Sequence, residues 1–454
     1  MDSFYLIINN RNQNEFAEHS NILKELTRYE NFFTREKTGH TFAIKRSVNH
    51  YAAYTKDSLD YVYIGRDFAN IDDWESVCVE KKNRTFPFVE ISYGDSCCSV
   101  QSDWLGLSAY FYVSIGESFF VTSEYRLAVK FAQGVLGELN YDTFSYQGFI
   151  TQGYVSPGHT IYREVHAASP WECISFENGK IHKTPKVKNK ISSDICEPAD
   201  YYSLFYDSVQ KIIKTSNITR INLTGGMDTR LILSTLTSQQ RKYMEFVFDQ
   251  HDGNPINTPY DKSVVLELAQ KFDLNVSYSA PLSPYSPIGH DSEYSFYNRL
   301  LTGMYGGETL GANSFNCLPK NRDECLVDER FDDYKNNVLK IKLRMREHVG
   351  SDHDLYYYCY VMTQSTMSRI YNDKVWICPV NLFRKKISPF MNIEFLTPLF
   401  RMPLEDINNY KFYYRIYDKC LPEMLEIPFH SSITSFNYPK IVEMKTKSII
   451  GRND

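Results

Sequence analysis

A chain of 454 residues with 43% hydrophobic and 23% charged side chains holds ample material for packed cores, which excludes global disorder. At roughly 150 residues per domain the length allows two or three domains, and the pattern along the chain supports two. A net charge of -5 with no long basic block argues against a nucleic-acid partner. No stretch is apolar for the ~18 residues of a membrane span, and MDSFYLIINNRNQNEF lacks a basic leader pattern, so a soluble, cytoplasmic protein is expected.

From residue 1 to about 185, short runs rich in Tyr, Phe, Val and Ile (FPFVEISY, AYFYVSI, SFFVTS) alternate with Gly, Asp and Ser turns, which predicts an α+β domain of antiparallel sheets. The ten cysteines include no C-x-x-C pair for zinc or redox work, and neighbouring Cys97 and Cys98 would point to opposite faces of a strand. The polar, lysine-rich stretch KTPKVKNKISSDICEPAD, residues 183 to 200, reads as a connection, giving domains of 1–190 and 195–454. Beyond it a helix YYSLFYDSVQKIIKT precedes the strand RINLT, the helix RLILSTLTSQQ, the strand MEFVFD, the helix DKSVVLELAQKF and the strand NVSYS. Such alternation predicts a parallel α/β sheet. After residue 330 the chain reads as mainly helical, with FDDYKNNVLKIKLRMREHV as an amphipathic surface helix.

The most informative residues are Leu223, Thr224, Gly225, Gly226, Met227, Asp228, Thr229 and Arg230, where a strand runs through paired glycines straight into a helix. A helix start presents unpaired N–H groups and about half a positive charge, and glycines let the backbone approach a phosphate chain. The hydroxyls of Thr224 and Thr229 would add donors, and Asp228 could hold magnesium. A plain turn with an Asp-Thr helix cap is the competing reading. A Walker A loop is excluded: the nearest segment, Gly153 to Thr160, has His159 where the lysine belongs and reads as a turn.

Thr224 to Thr229 resembles the S-G-G-x-D-S pyrophosphate loop of the PP-loop ATP pyrophosphatases, and other segments are similar to asparagine synthetase and its relatives. Asp261 and Ala269 resemble the D-x(7)-A helix after the second strand. Gly303 to Gly311, GMYGGETLG, is similar to the second glycine-rich loop. SPFMNIEFLTPLFRMP and YRIYDKCLPEMLEIP are similar to the helical ending of the synthetase domain. In the first half, Asp103-Trp104-Leu105-Gly106, Tyr110 to Tyr112, VTSEYRLAVKF and GFITQGYVSPGHTIYREVHAASPWE resemble the glutamine-amidotransferase-like domain. The resemblance implies an N-terminal Ntn-like αββα sandwich and a C-terminal parallel-sheet PP-loop domain with a helical extension, binding ATP and Mg2+.

The chain also departs from that family. Residue 2 is Asp2, where the family's glutaminase exposes a cysteine, so the first domain is expected to release no ammonia from glutamine and to be structural or to bind the second substrate. In the second glycine-rich loop Met304 and Gly307 stand where the family has acids, while Glu308 keeps one, as a candidate magnesium ligand or proton acceptor. The family's pyrophosphate-binding lysine falls at His430, a phosphate donor or an ordinary surface histidine. Arg230 is either a phosphate clamp or a solvated arginine at a helix start. Phe246 to Asp249, with Phe248 foremost, lie where adenine would meet backbone. With 35 tyrosines and 29 phenylalanines, individual aromatics read as core packing. The implied activity is an AMP-forming carbon–nitrogen ligase that adenylates a small-molecule or peptide carboxylate and couples it to an amine or ammonia, in surface-polysaccharide or natural-product biosynthesis. The alternatives are a lasso-peptide-type macrolactam cyclase and a non-catalytic nucleotide-binding scaffold. A homodimer is compatible with the sequence.

Overall fold

The computed structural model describes residues 4–9, 12–27, 32–37, 40–45, 51–65, 88–94, 97–103, 108–146, 155, 158–169, 171–186, 197–216, 218–249, 258–279, 300–303, 306, 310, 388–392, 395, 398–399, 402, 410–427 and 429. They fall into two compact units, with residues 4–186 in the first and 197–429 in the second.

The first unit carries twelve described strands and two long helices. Its first sheet runs β10 (His166–Ala167), β8 (Phe111–Ile115), β9 (Ser118–Thr122), β1 (Phe4–Ile8), β3 (His40–Lys45), β2 (Phe32–Lys37). The second runs β12 (Lys180–Pro185), β11 (Glu172–Glu177), β7 (Cys97–Ser102), β6 (Phe88–Tyr93), β5 (Leu59–Gly65), β4 (Tyr51–Lys56). Every pairing in both is antiparallel, as the turn-punctuated short runs require.

Side chains alternate across a strand, so each strand of the first sheet feeds two cores. Phe4, Leu6 and Ile8 join Phe42, Ile44, Phe119 and Val121 against Val62, Val89, Ile91, Val100, Ile174 and Phe176 of the second sheet. Tyr5 and Ile7 face the other way, with Ala43, Phe111, Val113 and Phe120, onto α1 (Gln13–Leu26) and α2 (Tyr125–Leu136). This double coverage is why β1 is buried at every residue. The apolar spacing of α2 sets Tyr125, Ala128, Phe131 and Ala132 on one face, and Gly137, at φ 81°, ends the helix. Both long helices described in this unit cover the first sheet, so the described layers are helix, sheet, sheet; of the expected αββα sandwich, a second helical layer is not among the described residues. Along β7 burial alternates, with Cys98 inside and Cys97 on the other face, and burial pushes the Cys98 thiol above its usual range. The margin of the second sheet, β12, is largely exposed and carries Lys180 and Lys183.

The second unit is built on a wholly parallel sheet in the order β15 (Asn275–Ser279), β14 (Glu245–Asp249), β13 (Arg220–Asn222), β16 (Leu300–Leu301). The helix α3 (Pro198–Ser216) precedes β13, and α6 (Thr258–Phe272) links β14 to β15, matching the expected alternation. The stretch read as one helix after β13 is two, α4 (Met227–Ser234) and α5 (Ser238–Tyr243). The break has a local cause. Thr237 starts a capping box with Gln240: the Gln240 N–H donates to Thr237 Oγ1 at 3.2 Å, and the Thr237 N–H donates to Gln240 Oε1 at 2.9 Å. The strand order reverses direction at β13, with β14 and β15 to one side and β16 to the other, and such a switch point opens a crevice at the carboxyl end of the strand.

Candidate functional site: the loop after the central parallel strand

The glycine loop leaves that carboxyl end. Leu223, fully buried, extends the pairing by donating its N–H to the Val247 carbonyl at 2.9 Å. The chain then turns, and the two threonines set its curvature from within. The Thr229 hydroxyl receives the Thr224 N–H at 3.0 Å and lies 3.1 Å from the Thr224 carbonyl, to which it donates, while the Thr224 hydroxyl receives the Gly226 N–H at 3.2 Å. Their hydroxyls, expected as phosphate donors, thus meet the loop's own backbone and each other, 3.0 Å apart. Gly226 is the N-cap of α4 and supplies no side-chain acceptor to the first turn of the helix. Asp228 is the acidic residue of that turn, where the helix dipole favours negative charge.

The second glycine-bearing segment closes on the first. A Cβ placed on Gly303 would lie 2.7 Å from the Asp228 Cβ and 2.9 Å from the Thr229 nitrogen, and one on Gly306 would overlap the Asp228 carboxylate. The Gly306 N–H donates back to the Gly303 carbonyl at 3.1 Å, fixing the turn. Only a residue without a side chain lets this backbone lie so near the aspartate. Gly303 and the loop of residues 224–229 thus lie against each other within one unit.

A third element meets them. α7 (Lys411–Cys420) places Tyr413 and Tyr417, one helical turn apart, against the start of α4. The Tyr413 hydroxyl donates to Asp228 Oδ1 at 3.0 Å, and the Tyr417 hydroxyl donates to the Met227 carbonyl at 2.6 Å. Burial pushes both phenols well above their usual range, with the Asp228 charge adding to the shift and the Arg230 charge opposing it for Tyr417, so both remain protonated donors near neutral pH.

Arg230 is neither solvated nor turned outward as a phosphate fork. It is fully buried, donating from Nη1 to the carbonyls of Met424 (2.9 Å) and Ile427 (2.6 Å) and from Nη2 to the Gly225 carbonyl (3.0 Å), with its guanidinium 4.1 Å from the ring centre of Phe429. It ties the glycine loop to the turn that follows α7.

Phe248 sits near the end of β14 with its ring buried, edge-on to Tyr278 at 6.0 Å. Ala269 is half-buried on α6. Glu308, His430, Met304, Gly307 and the side chain of Asp261 lie outside the described residues. The tyrosine pair was missed by sequence reasoning; its signal was the Tyr-x-x-x-Tyr spacing just before Leu421-Pro422.

In the first unit the segments expected to be amidotransferase-like hold the fold together. The buried Asp103 accepts the Ser108 N–H at 2.9 Å, and Lys186 donates to the Ser102 hydroxyl and the Asp103 carbonyl. Thr122 and Ser123 bond the start of β1. Gly158, at φ 85°, confirms a turn within the Walker-like segment. Asp2 lies outside the described residues.

No protein-family model and no curated protein matches the chain. Among solved structures it is similar to an allosteric regulatory enzyme of purine biosynthesis at 7% identity and TM-score 0.26, over 63% of this chain and 82% of that one. It is similar to the glutamine phosphoribosylpyrophosphate amidotransferase of B. subtilis, complexed with ADP and GMP, at 8% identity and TM-score 0.24, over 66% and 74%. It is also similar to the U34-tRNA thiolase of Methanococcus maripaludis with its iron–sulfur cluster, at 13% identity and TM-score 0.25, over 60% and 80%. Overlaps of this size carry no weight for fold or chemistry, which rest on the strands and contacts above. Among the described residues no helix is long and apolar enough to cross a membrane, and no three His, Cys, Asp or Glu side chains gather as a metal cluster.

Proposed function

We propose that the second unit binds ATP across residues 224–229 and uses it to activate a carboxylate for amide formation. One observation carries this reading: two glycine-bearing segments converge on Asp228 and the start of α4, at the switch point of a parallel sheet. A plain turn gives no reason for Gly303 and Gly306 to press on the aspartate.

The residues present fit magnesium. This ion is held by one or two carboxylates, with water and substrate phosphates completing its shell, so a single braced carboxylate suits it better than a protein cage would. Asp228 would hold it, with Glu308 as the second carboxylate. Bound there, the ion would neutralise charge on the phosphate oxygens. The N–H groups of the first turn of α4 would receive the pyrophosphate, and the threonine bonds inside the loop would keep those donors in place. The backbone at Phe248 would border adenine. His430 would reach the outer phosphate.

In this scheme a carboxylate oxygen attacks the α-phosphorus, the bond to the β-phosphate bridge breaks, and pyrophosphate leaves an acyl-AMP behind. An amine nitrogen then attacks the acyl carbon, AMP departs, and the proton released from nitrogen passes to Glu308. Arg230, engaged with carbonyls, has a scaffolding role in this scheme and takes no part in these steps. Surface-polysaccharide or natural-product amidation suits such an enzyme, and macrolactam closure is the intramolecular form.

ATP–pyrophosphate exchange across candidate acids, with wild type beside Asp228→Ala, tests the reading. Exchange that depends on an acid and disappears in the variant is expected. Release of ADP, or nucleotide binding without exchange for any acid, would overturn the ligase assignment, the latter in favour of a scaffold.

A further inference from the structure

The contact between Tyr413 and Asp228 joins two positions 185 residues apart. The aspartate is confined on two sides. The backbone at Gly303 and Gly306 bounds its Cβ and carboxylate, and the Tyr413 hydroxyl reaches Oδ1. The tyrosine is itself immobilised: its ring lies 5.7 Å from that of Tyr417 and stacks at 14° on Tyr410, all three buried. The helix that carries it is fastened to the loop by Tyr417 on the Met227 carbonyl and by Arg230 on the carbonyls of Met424 and Ile427. An ionised carboxylate accepts through both oxygens, and the bond from the neutral Tyr413 hydroxyl to Oδ1 acts on the rotation of the group.

We infer that Tyr413 is a positioning residue that fixes the Asp228 carboxylate for the divalent ion accompanying the nucleotide. This rests on the nucleotide reading above. Outer-shell partners of metal-binding carboxylates contribute by orientation, and their loss typically costs 10–100-fold in metal affinity. Tyr413 would therefore act on the magnesium requirement and leave nucleotide binding without metal unaltered.

The test is calorimetric titration of ATP into the full chain at a series of magnesium concentrations and in EDTA. It compares wild type, Tyr413→Phe, Asp228→Asn and the double variant. Tyr202→Phe serves as the control, since it removes a tyrosine bond to the Ser234 carbonyl at the far end of α4. Tyr413→Phe is expected to raise the magnesium needed for half-maximal binding about tenfold or more, with binding in EDTA unchanged. In the Asp228→Asn background the same change is expected to add nothing to the metal dependence. A magnesium curve that coincides with wild type, or an equal shift in Tyr202→Phe, overturns the inference and leaves the nucleotide reading standing. A wild type that binds no ATP at any magnesium concentration overturns both. Should Tyr413→Phe fail to fold, 3-fluorotyrosine at position 413 reports on the bond without deleting it. Its fluorine resonance is expected to move on adding magnesium to the ATP-bound chain, and a resonance that stays still at saturation rejects the positioning role.

Discussion

At the scale of single residues, the site is defined by what its glycines exclude. Gly306→Ala would place a methyl group on the Asp228 carboxylate, whereas Gly226→Ala would meet only the Thr224 hydroxyl, at 3.3 Å. Overpacking of the first kind costs about 1–3 kcal/mol. Urea denaturation should show the larger loss for Gly306→Ala, and equal losses in the two variants would remove the packing account. Arg230 illustrates the limit of reading chemistry from residue type. An arginine at the start of a helix beside a glycine loop suggests a phosphate fork, yet its five donors suit any cluster of carbonyl oxygens. The partners that take three of its bonds lie on Gly225 and nearly two hundred residues downstream, at a distance no local pattern registers.

At the scale of elements, the strands and helices around the loop were legible because periodicity and turn residues are local properties. β13, β14 and β15 fall within the stretches that alternation marked out, while α3 and α6 cover theirs and begin three residues earlier, at Pro198 and Thr258. The division of the next helix into α4 and α5 was legible too, in the Thr237-x-x-Gln240 pattern, which the reading of RLILSTLTSQQ as one helix passed over. Thr237→Ala removes the cap from an exposed helix with no buried residue of its own. The expected cost is about 1 kcal/mol, with amide exchange in residues 238–243 quickening ahead of the rest. Uniform quickening throughout the unit would show that the cap is not a local device. The meeting of α7 with α4 was not legible. Tyr413 and Tyr417 belong to a chain so rich in aromatic residues that two more carry little signal, and the spacing names a helix face without naming its partner.

At the scale of the whole molecule, pH acts on the first unit through two of its imidazoles, His166 and His19. His166 stacks on Tyr112 with ring centres 5.1 Å apart, and burial, aided by the charges of Lys183 and His159, lowers it from 6.5 to about 4. His19 bonds Ser118 at 2.8 Å and is likewise lowered by burial, against the pull of Glu15 and Glu18. Both bind protons less readily folded than unfolded, so the stabilisation they give is complete above pH 6.5 and is lost on acidification, for His166 as the pH falls toward 4. Replacing His166 with Phe keeps the stacking and removes the proton site. The variant's thermal midpoint should fall less steeply than that of wild type between pH 6.5 and 4, and parallel curves would show that His166 takes no part.

The outermost ribbon of the second sheet also governs how the gene can be cut. β12 is joined to β11 along its whole length, residues 172–177 facing 180–185, and its lysine-bearing surface is what meets water. A fragment ending before Lys180 would turn β11 into the rim, with the ladder of amides and carbonyls that β12 now occupies laid open beside Ile174 and Phe176. Such a rim invites strands from other copies, so fragments intended to stay dispersed must retain the chain through Pro185.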